Sequence, residues 1–203
     1  MRVPMRLILL AALLAPAPPA AAQFMYLDSD GDGVYTVNET LNPATNAVDI
    51  WLDTEHNRDG SSAACNSSSA ALTIGSYSFV LIHVGFLTYG TWQDSLGFLL
   101  DPTTLVSENR LYVYRGSDVR LPAGRYKLGT LNLSGVGTGT FLGFLAGAPT
   151  PPEASTAFDT DCEGLGGDNL YMLGRDWMDV GNLPYLTTAT TNTSWGGIKA
   201  RYR

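Results

Sequence analysis

The chain of 203 residues carries 12 basic and 19 acidic side chains, a formal net charge of −7, and only 15% of its residues are charged. Such a surface repels a polyphosphate, which excludes nucleic-acid binding through a basic face. With 45% hydrophobic residues, 10 Tyr, 7 Phe and 4 Trp, there is apolar material for a packed core, so wholesale disorder is excluded too, and the length suits one domain.

Residues 1–22 have the pattern of an export leader. Arg2 and Arg6 flank the start, Leu7 to Leu14 is an apolar run, and Ala20-Ala21-Ala22 supplies the small side chains that a signal peptidase needs. Cleavage is expected after Ala22, leaving 23–203 as a single mature domain. The apolar run falls short of the roughly 20 residues that cross a bilayer, no cysteine directly follows it to take a lipid, and no later segment reads as a membrane span. The mature protein is therefore expected to be secreted, extracellular or periplasmic. Loss of Arg2 and Arg6 leaves 10 basic residues against 19 acidic ones, so this form is more acidic still.

Phe24-Met25-Tyr26-Leu27 reads as a strand, and the residues after it carry the most specific pattern in the chain. Asp28, Asp30 and Asp32 alternate, Gly33 follows, and Glu39 closes a twelve-residue stretch. Calcium is a hard cation that takes six to eight oxygens at about 2.3–2.6 Å, and a short loop must curl tightly to converge that many donors. Gly33, at the sixth position, permits the sharp turn. Val34 is placed to offer its carbonyl, Thr36 to act directly or through water, and Glu39 to close the shell with both oxygens. Tyr35 stands where an apolar residue packs such a loop down.

This stretch resembles the EF-hand loop, and more closely the calcium loops of dockerin-type segments in secreted bacterial proteins. It departs from the full helix–loop–helix hand, because only Gln23 to Leu27 would precede the loop and no entering helix fits there. Pro43 limits an exiting helix to about one turn around Val37 to Leu41. The expected unit is strand, calcium loop, short helix, with a structural ion; a calmodulin-like switch needs two helices that reorient.

Carboxylates are unevenly spread along the chain. Eight of the 19 lie between Asp28 and Asp59, where Arg58 is the only base, and six lie between Asp159 and Asp179, where Arg175 is the only one. Such clusters repel themselves unless a cation sits among them or water solvates them. After the alternating run Val48 to Leu52, the stretch Asp53 to Gly60 repeats the layout of strand into acidic loop. Asp53, Asn57 and Asp59 are candidate donors to a second cation, with Asp159 or Asp161 available to complete an otherwise open shell; an ordinary polar hairpin loop is the alternative. The two cysteines, Cys65 and Cys162, are expected to form a disulfide in an oxidising compartment, which would bring the two acidic regions together.

The rest of the chain reads as short strands between turns, with no long amphipathic helix. Ser76 to Ile82 is β-rich, Leu111 to Tyr114 alternates with aromatics, Thr140 to Leu145 is a short apolar run, and Trp195 to Tyr202 suggests a terminal strand. Between Pro122 and Leu133 the apolar phase changes from even to odd positions around Gly129, which predicts a bulge there. Ala148 to Ser155 reads as a loop. Many short strands, 22 glycines and no βαβ rhythm indicate an all-β fold, an antiparallel β-sandwich carrying the N-terminal calcium insertion.

The Gly124 to Leu133 segment with the strand pattern before it resembles cohesin-like β-sandwich modules of secreted bacterial proteins. The paired acidic loops, Cys162 to Asn169 and Leu173 to Trp177 extend that similarity over most of the mature chain. The resemblance implies a fold rather than a reaction. Cohesins bind dockerins through a sheet face, and a built-in calcium loop departs from ordinary cohesins.

Catalytic patterns are sparse. Only His56 and His83 could serve as imidazole bases, no Gly-x-Ser-x-Gly elbow occurs, and two distant cysteines with two distant histidines lack zinc-site spacing. Gly135 to Gly139 lacks the ending of a P-loop. The reading is a secreted calcium-binding extracellular module in a binding, adhesion or surface-structural role, with an extracellular protein or a glycan as partner. The alternatives are a carbohydrate-binding module, in which Tyr89, Trp92, Trp177 or Tyr185 stack on sugar rings, and a glycoside hydrolase using two carboxylates.

Overall fold

The computed structural model describes residues 23–36, 39–65, 69–145, 156–162, 168–171 and 177–181. The leader, the 148–155 loop and the 195–202 strand expected from sequence lie outside the described residues. Twelve strands follow in chain order: β1 Gln23–Asp28, β2 Ala47–Asn57, β3 Ile74–Val84, β4 Thr88–Asp94, β5 Leu100–Ser107, β6 Arg110–Leu121, β7 Arg125–Ser134, β8 Phe141–Phe144, β9 Ala157–Thr160, β10 Asp168–Tyr171, β11 Trp177–Met178 and β12 Val180–Gly181.

They form two sheets. The first has the order β11-β1-β2-β7-β4; the second runs β10-β9-β3-β6-β5, with β8 also paired to β3 and β12 paired to β8. All pairings are antiparallel except β1 with β11. The fold is thus the expected all-β sandwich. It holds no helix among the described residues: Glu39 to Leu41 run as irregular chain, so the expected exit turn is not helical there, and Val37 and Asn38 lie outside the described residues. No described helix is therefore available to cross a membrane.

The core lies between the sheets and follows the period-2 alternation of each strand. Val48, Ile50 and Leu52 of β2 point inward while Asp49, Trp51 and Asp53 take the other face; Tyr77, Phe79 and Leu81 of β3 meet them with Leu111 and Val113 of β6. Phe79 is fully buried, with Trp92 and Phe144 edge-on to its ring and Tyr77 stacked beside it. Burying one such ring contributes about 1.5–3 kcal/mol. The Tyr77 hydroxyl donates to Asp94 and so ties β3 of one sheet to β4 of the other.

The phase change around Gly129 is a bulge. Ile50 faces Gly129 but Trp51 faces Lys127, so β7 carries an extra residue against β2. Leu128 points inward before it, and Leu131 and Leu133 after it. A Cβ on Gly129 would stand 2.3 Å from the Gln93 carbonyl oxygen and 2.5 Å from the Trp92 ring, so only glycine fits.

Where the chain passes from β11 in one sheet to β12 in the other, Asp179 turns inward and its carboxylate accepts the Phe144 N–H at 2.8 Å. Burial pushes its carboxyl up from the ordinary 3.8 to about 6, only partly countered by the Phe144 N–H. Below the ordinary value both folded and unfolded chains hold this proton. As pH rises from about 4 to 6 the unfolded chain releases it first, so this group's effect is to lower stability through that window, by up to roughly 2–3 kcal/mol. Urea melts at pH 4 and pH 7 should show Asp179→Asn removing most of this component; an unchanged pH profile in that variant would assign the slope to other groups.

Candidate metal centre

The centre is built where β1 runs out of the first sheet. β1 is buried on both faces: Met25 and Leu27 enter the core, while Phe24 and Tyr26 point away from it and are covered by Tyr35 and Trp51. Antiparallel pairing sets Tyr26 opposite Trp51, and their rings stack at 6.2 Å. Tyr35 closes edge-on against Phe24 and Tyr26, at 5.3 and 5.8 Å. The acidic loop is thereby folded back over the outer face of its own strand, and Tyr35 packs it down as the sequence pattern anticipated.

Asp28, the last residue of β1, is 1% exposed. Its Oδ1 accepts Gly31 N–H at 2.6 Å, and its Oδ2 accepts Gly33 N–H at 2.8 Å and the Trp51 indole N–H at 3.2 Å. Three donors offset the cost of burying a carboxylate. The Asp30 carboxylate accepts the Asp32 N–H, and the Asp32 carboxylate the Val34 N–H, so each of these exposed acids closes a small turn. Gly33 has φ +72, and a Cβ there would lie 3.1 Å from the Trp51 ring. The Tyr26 hydroxyl donates to the Gly33 carbonyl at 3.0 Å and pins the same turn.

Glu39 returns from the far end of the loop. Its Oε2 accepts both the backbone N–H and the hydroxyl of Ser29, at 2.9 and 2.8 Å. Its Oε1 is buried and has no hydrogen-bond partner among the described residues. Burial raises the Glu39 carboxyl above its usual range, with Asp30 and Asp28 adding to the rise and the two Ser29 bonds opposing it. One oxygen from each of Asp28, Asp30, Asp32 and Glu39 lies within 4.8 Å of the others. Four carboxylates so placed repel one another, though the exposure of Asp30 and Asp32 lets water screen part of it. A hard divalent cation is the group that this donor set fits: the donors are all oxygen, and the orphaned Glu39 Oε1 lacks only a positive partner. Val34 and Thr36 occupy the exposed return limb, where the loop pattern places the carbonyl and hydroxyl donors.

The second set of candidates is not gathered in this way. Among the described residues, Asp28, Asp30, Asp32 and Glu39 are the only group of three or more acids, histidines or cysteines with ligand atoms so close. Asp53 Oδ1 accepts the Glu55 and His56 N–H groups, and its Oδ2 lies 3.5 Å from His56 Nδ1. Asn57 donates to the Ser61 hydroxyl and the Ser62 carbonyl. Asp59 accepts from the Ser61 hydroxyl and N–H, which hold its carboxyl below the usual range. The Asp53 and Asp59 carboxylates cap their own turn, as in an ordinary polar hairpin loop, while the buried Asn57 Oδ1 has no hydrogen-bond partner among the described residues. Asp159, a candidate to complete the shell, pairs through Oδ2 with Arg120 at 2.6 Å, and its Oδ1 is buried without a hydrogen-bond partner among the described residues.

Cys65 and Cys162 are joined, with Cα atoms 5.4 Å apart, and the bond links the segment after β2 to the segment after β9. Tyr89 is 8% exposed and Trp92 packs against the core, so neither offers a free platform for a sugar ring. Tyr185 lies outside the described residues, as does the Trp177 side chain.

Three residues of the centre were not singled out by the sequence: Ser29, Tyr26 and Trp51. Trp51 is 23 residues from the carboxylate it supports. The signal that could have found it is its outward position in the Val48 to Leu52 alternation, combined with a β1–β2 register.

No protein-family model matches the chain, and no curated protein matches it. Among solved structures, it is similar to a type III cohesin module from the cellulosomal cell-surface anchoring scaffoldin ScaE of Ruminococcus flavefaciens, at 10% sequence identity over 80% of this chain and 89% of that one, with a TM-score of 0.49.

Proposed function

We propose that the protein is a secreted β-sandwich module whose N-terminal strand and loop are held in place by a structural calcium ion, and that it serves as an extracellular binding, adhesion or surface-structural unit. The observation that carries the calcium reading is the convergence of Asp28, Asp30, Asp32 and Glu39 within 4.8 Å, with one buried carboxylate oxygen left without a partner. The spacing of these residues fits a seven-oxygen shell completed by the Val34 carbonyl and by Thr36 or a water. Magnesium demands a smaller, near-octahedral shell and keeps its waters, so calcium is favoured. The leader pattern and the disulfide support export, since disulfides persist in oxidising compartments, where millimolar calcium suits a site of about 10⁻⁴ to 10⁻³ M affinity.

Terbium, a hard cation of similar size, tests the site directly. Tyr26, Tyr35 and Trp51 pack together beside it, with the Trp51 indole bonded to Asp28, so terbium bound there should luminesce on excitation of the aromatic rings. Calcium should quench that signal by competition, whereas magnesium at the same concentration should leave most of it. Asp30→Ala and Glu39→Gln should each abolish the signal; full sensitised luminescence in both variants would overturn the site.

A further inference from the structure

The geometry points to the Asp101–Pro102 peptide bond as a site of self-cleavage that converts the protein into two chains held by its disulfide. Both residues are exposed on β5, an edge strand of the second sheet. Pairing with β6 is regular from Thr103 to Ser107 but shifts between Leu100 and Thr103, so Asp101 and Pro102 stand outside the ladder. Asp101 has φ +47. That region is disfavoured for a side chain with a Cβ, and a following proline restricts its predecessor further, toward extended backbone. The strain is therefore stored next to the bond in question. The Thr103 hydroxyl donates to the Asp101 carbonyl oxygen at 3.3 Å, and so polarises the carbon that would be attacked.

The bond-breaking step needs atoms of Asp101 and Pro102 alone, and solvent water completes the reaction. A side-chain carboxyl oxygen of Asp101 attacks the carbonyl carbon of the same residue and closes a five-membered anhydride. The carboxyl proton passes to the proline nitrogen as the C–N bond breaks, and Pro102 leaves as a secondary amine. Water then opens the anhydride and restores both carboxyl groups, so the sum is hydrolysis of one peptide bond by one water. Ring closure requires only rotation about Cα–Cβ and Cβ–Cγ, which exposure leaves free, and an intramolecular nucleophile of this kind acts at high effective concentration. Proline contributes no N–H, so its nitrogen is not engaged in the ladder. Breaking the bond lets Asp101 leave its positive-φ conformation, which a denatured chain would not have occupied.

The fragments, 23–101 and 102–203, stay together. Cys65 lies in the first and Cys162 in the second; β3 of the first pairs with β6, β8 and β9 of the second, and β2 with β7. The nick is silent until the disulfide is reduced. The test is to incubate the purified, oxidised mature protein in mildly acidic buffer, then measure intact mass without reductant and run a reducing gel. The expected result is a gain of one water in the intact mass, two fragments on reduction, and an N-terminus beginning at Pro102. Relief of the strain should make cleavage about tenfold faster in the native protein than in the same chain reduced and unfolded in urea. Asp101→Asn, which still tolerates positive φ, should bring cleavage to background with an unchanged thermal midpoint, and Thr103→Val should slow it. Equal or slower cleavage in the native state than in urea, or undiminished cleavage in Asp101→Asn, would overturn the assignment.

Discussion

Calcium added to the metal-free mature protein is expected to raise its thermal midpoint by roughly 5 to 10 °C once the free ion is about a hundredfold above its dissociation constant. Binding to the folded state alone contributes about 2.7 kcal/mol at that ratio, and each kcal/mol moves the midpoint of a chain of this size by about 2–4 °C. The gain arises because four acids that repel one another in the loop acquire a common partner. Glu39→Gln should lose most of it without unfolding the loop, since the new amide oxygen can still accept the two Ser29 bonds. Asp30→Ala should do the same, as Asp30 is exposed and bonds only within its turn. EDTA should return the wild type to the level of both variants. Because burial raises the Glu39 carboxyl, protons compete with the ion, and the calcium shift should shrink toward acid pH. A calcium shift of full size in both variants would mean that the ion acts elsewhere.

Removing the disulfide should have a larger effect. Cys65 and Cys162 are 97 residues apart in sequence, and the chain-entropy model gives closure of so long a loop about 4 to 5 kcal/mol. The double variant Cys65→Ser/Cys162→Ser should therefore melt roughly 10 to 15 °C lower than the oxidised wild type. Part of the cost is local, because Cys65 is only 3% exposed and its backbone is bonded to Ser69 and Ala70. Paired melts of the double variant and the wild type with and without reductant would separate the two contributions. A midpoint within a degree or two of the oxidised wild type would show that the strands alone hold these segments.

The convergence of Asp28, Asp30, Asp32 and Glu39 was legible because the loop pattern fixes residue type at set spacing: oxygens at alternate positions, glycine where φ turns positive, glutamate at the end. Alternation made Val48 to Leu52 and Leu111 to Tyr114 readable as strands, and the phase change at Gly129 announced a bulge before any pairing was known. The support for the loop was not legible, since Trp51 reaches Asp28 only through the β1–β2 register, which is a property of two strands together. Over the described part of the expected helical turn, Glu39 to Leu41, the chain is irregular for a local reason: Ser29 draws Glu39 back across the loop, and Pro43 stands close behind. A second cation site looked plausible because Asp53, Asn57 and Asp59 share the composition of the first. Composition does not distinguish acids that face one point from acids that cap their own turns. Nor did sequence separate platform aromatics from core ones, because Tyr89 and Trp92 owe their burial to the sheet packed above them. β5 was hidden by Pro102, which argues against a central strand and is in keeping with the edge that it occupies.

The N-terminal strand is flanked by partners from opposite ends of the described chain: Met25 pairs with Leu52 on one side and with Trp177 on the other. A strand of that kind is a keystone, added when the arch is nearly complete. Contacts of such long range slow folding, because the intervening chain must be ordered before the pairing rewards it. β1 precedes both partners in the chain and is completed late, with apolar residues on both faces and one edge unpaired in the interval. The acidic loop that follows it, with Asp28, Asp30, Asp32 and Glu39 drawn together, keeps this waiting segment charged, so whatever neutralises those acids also favours the locking of the strand.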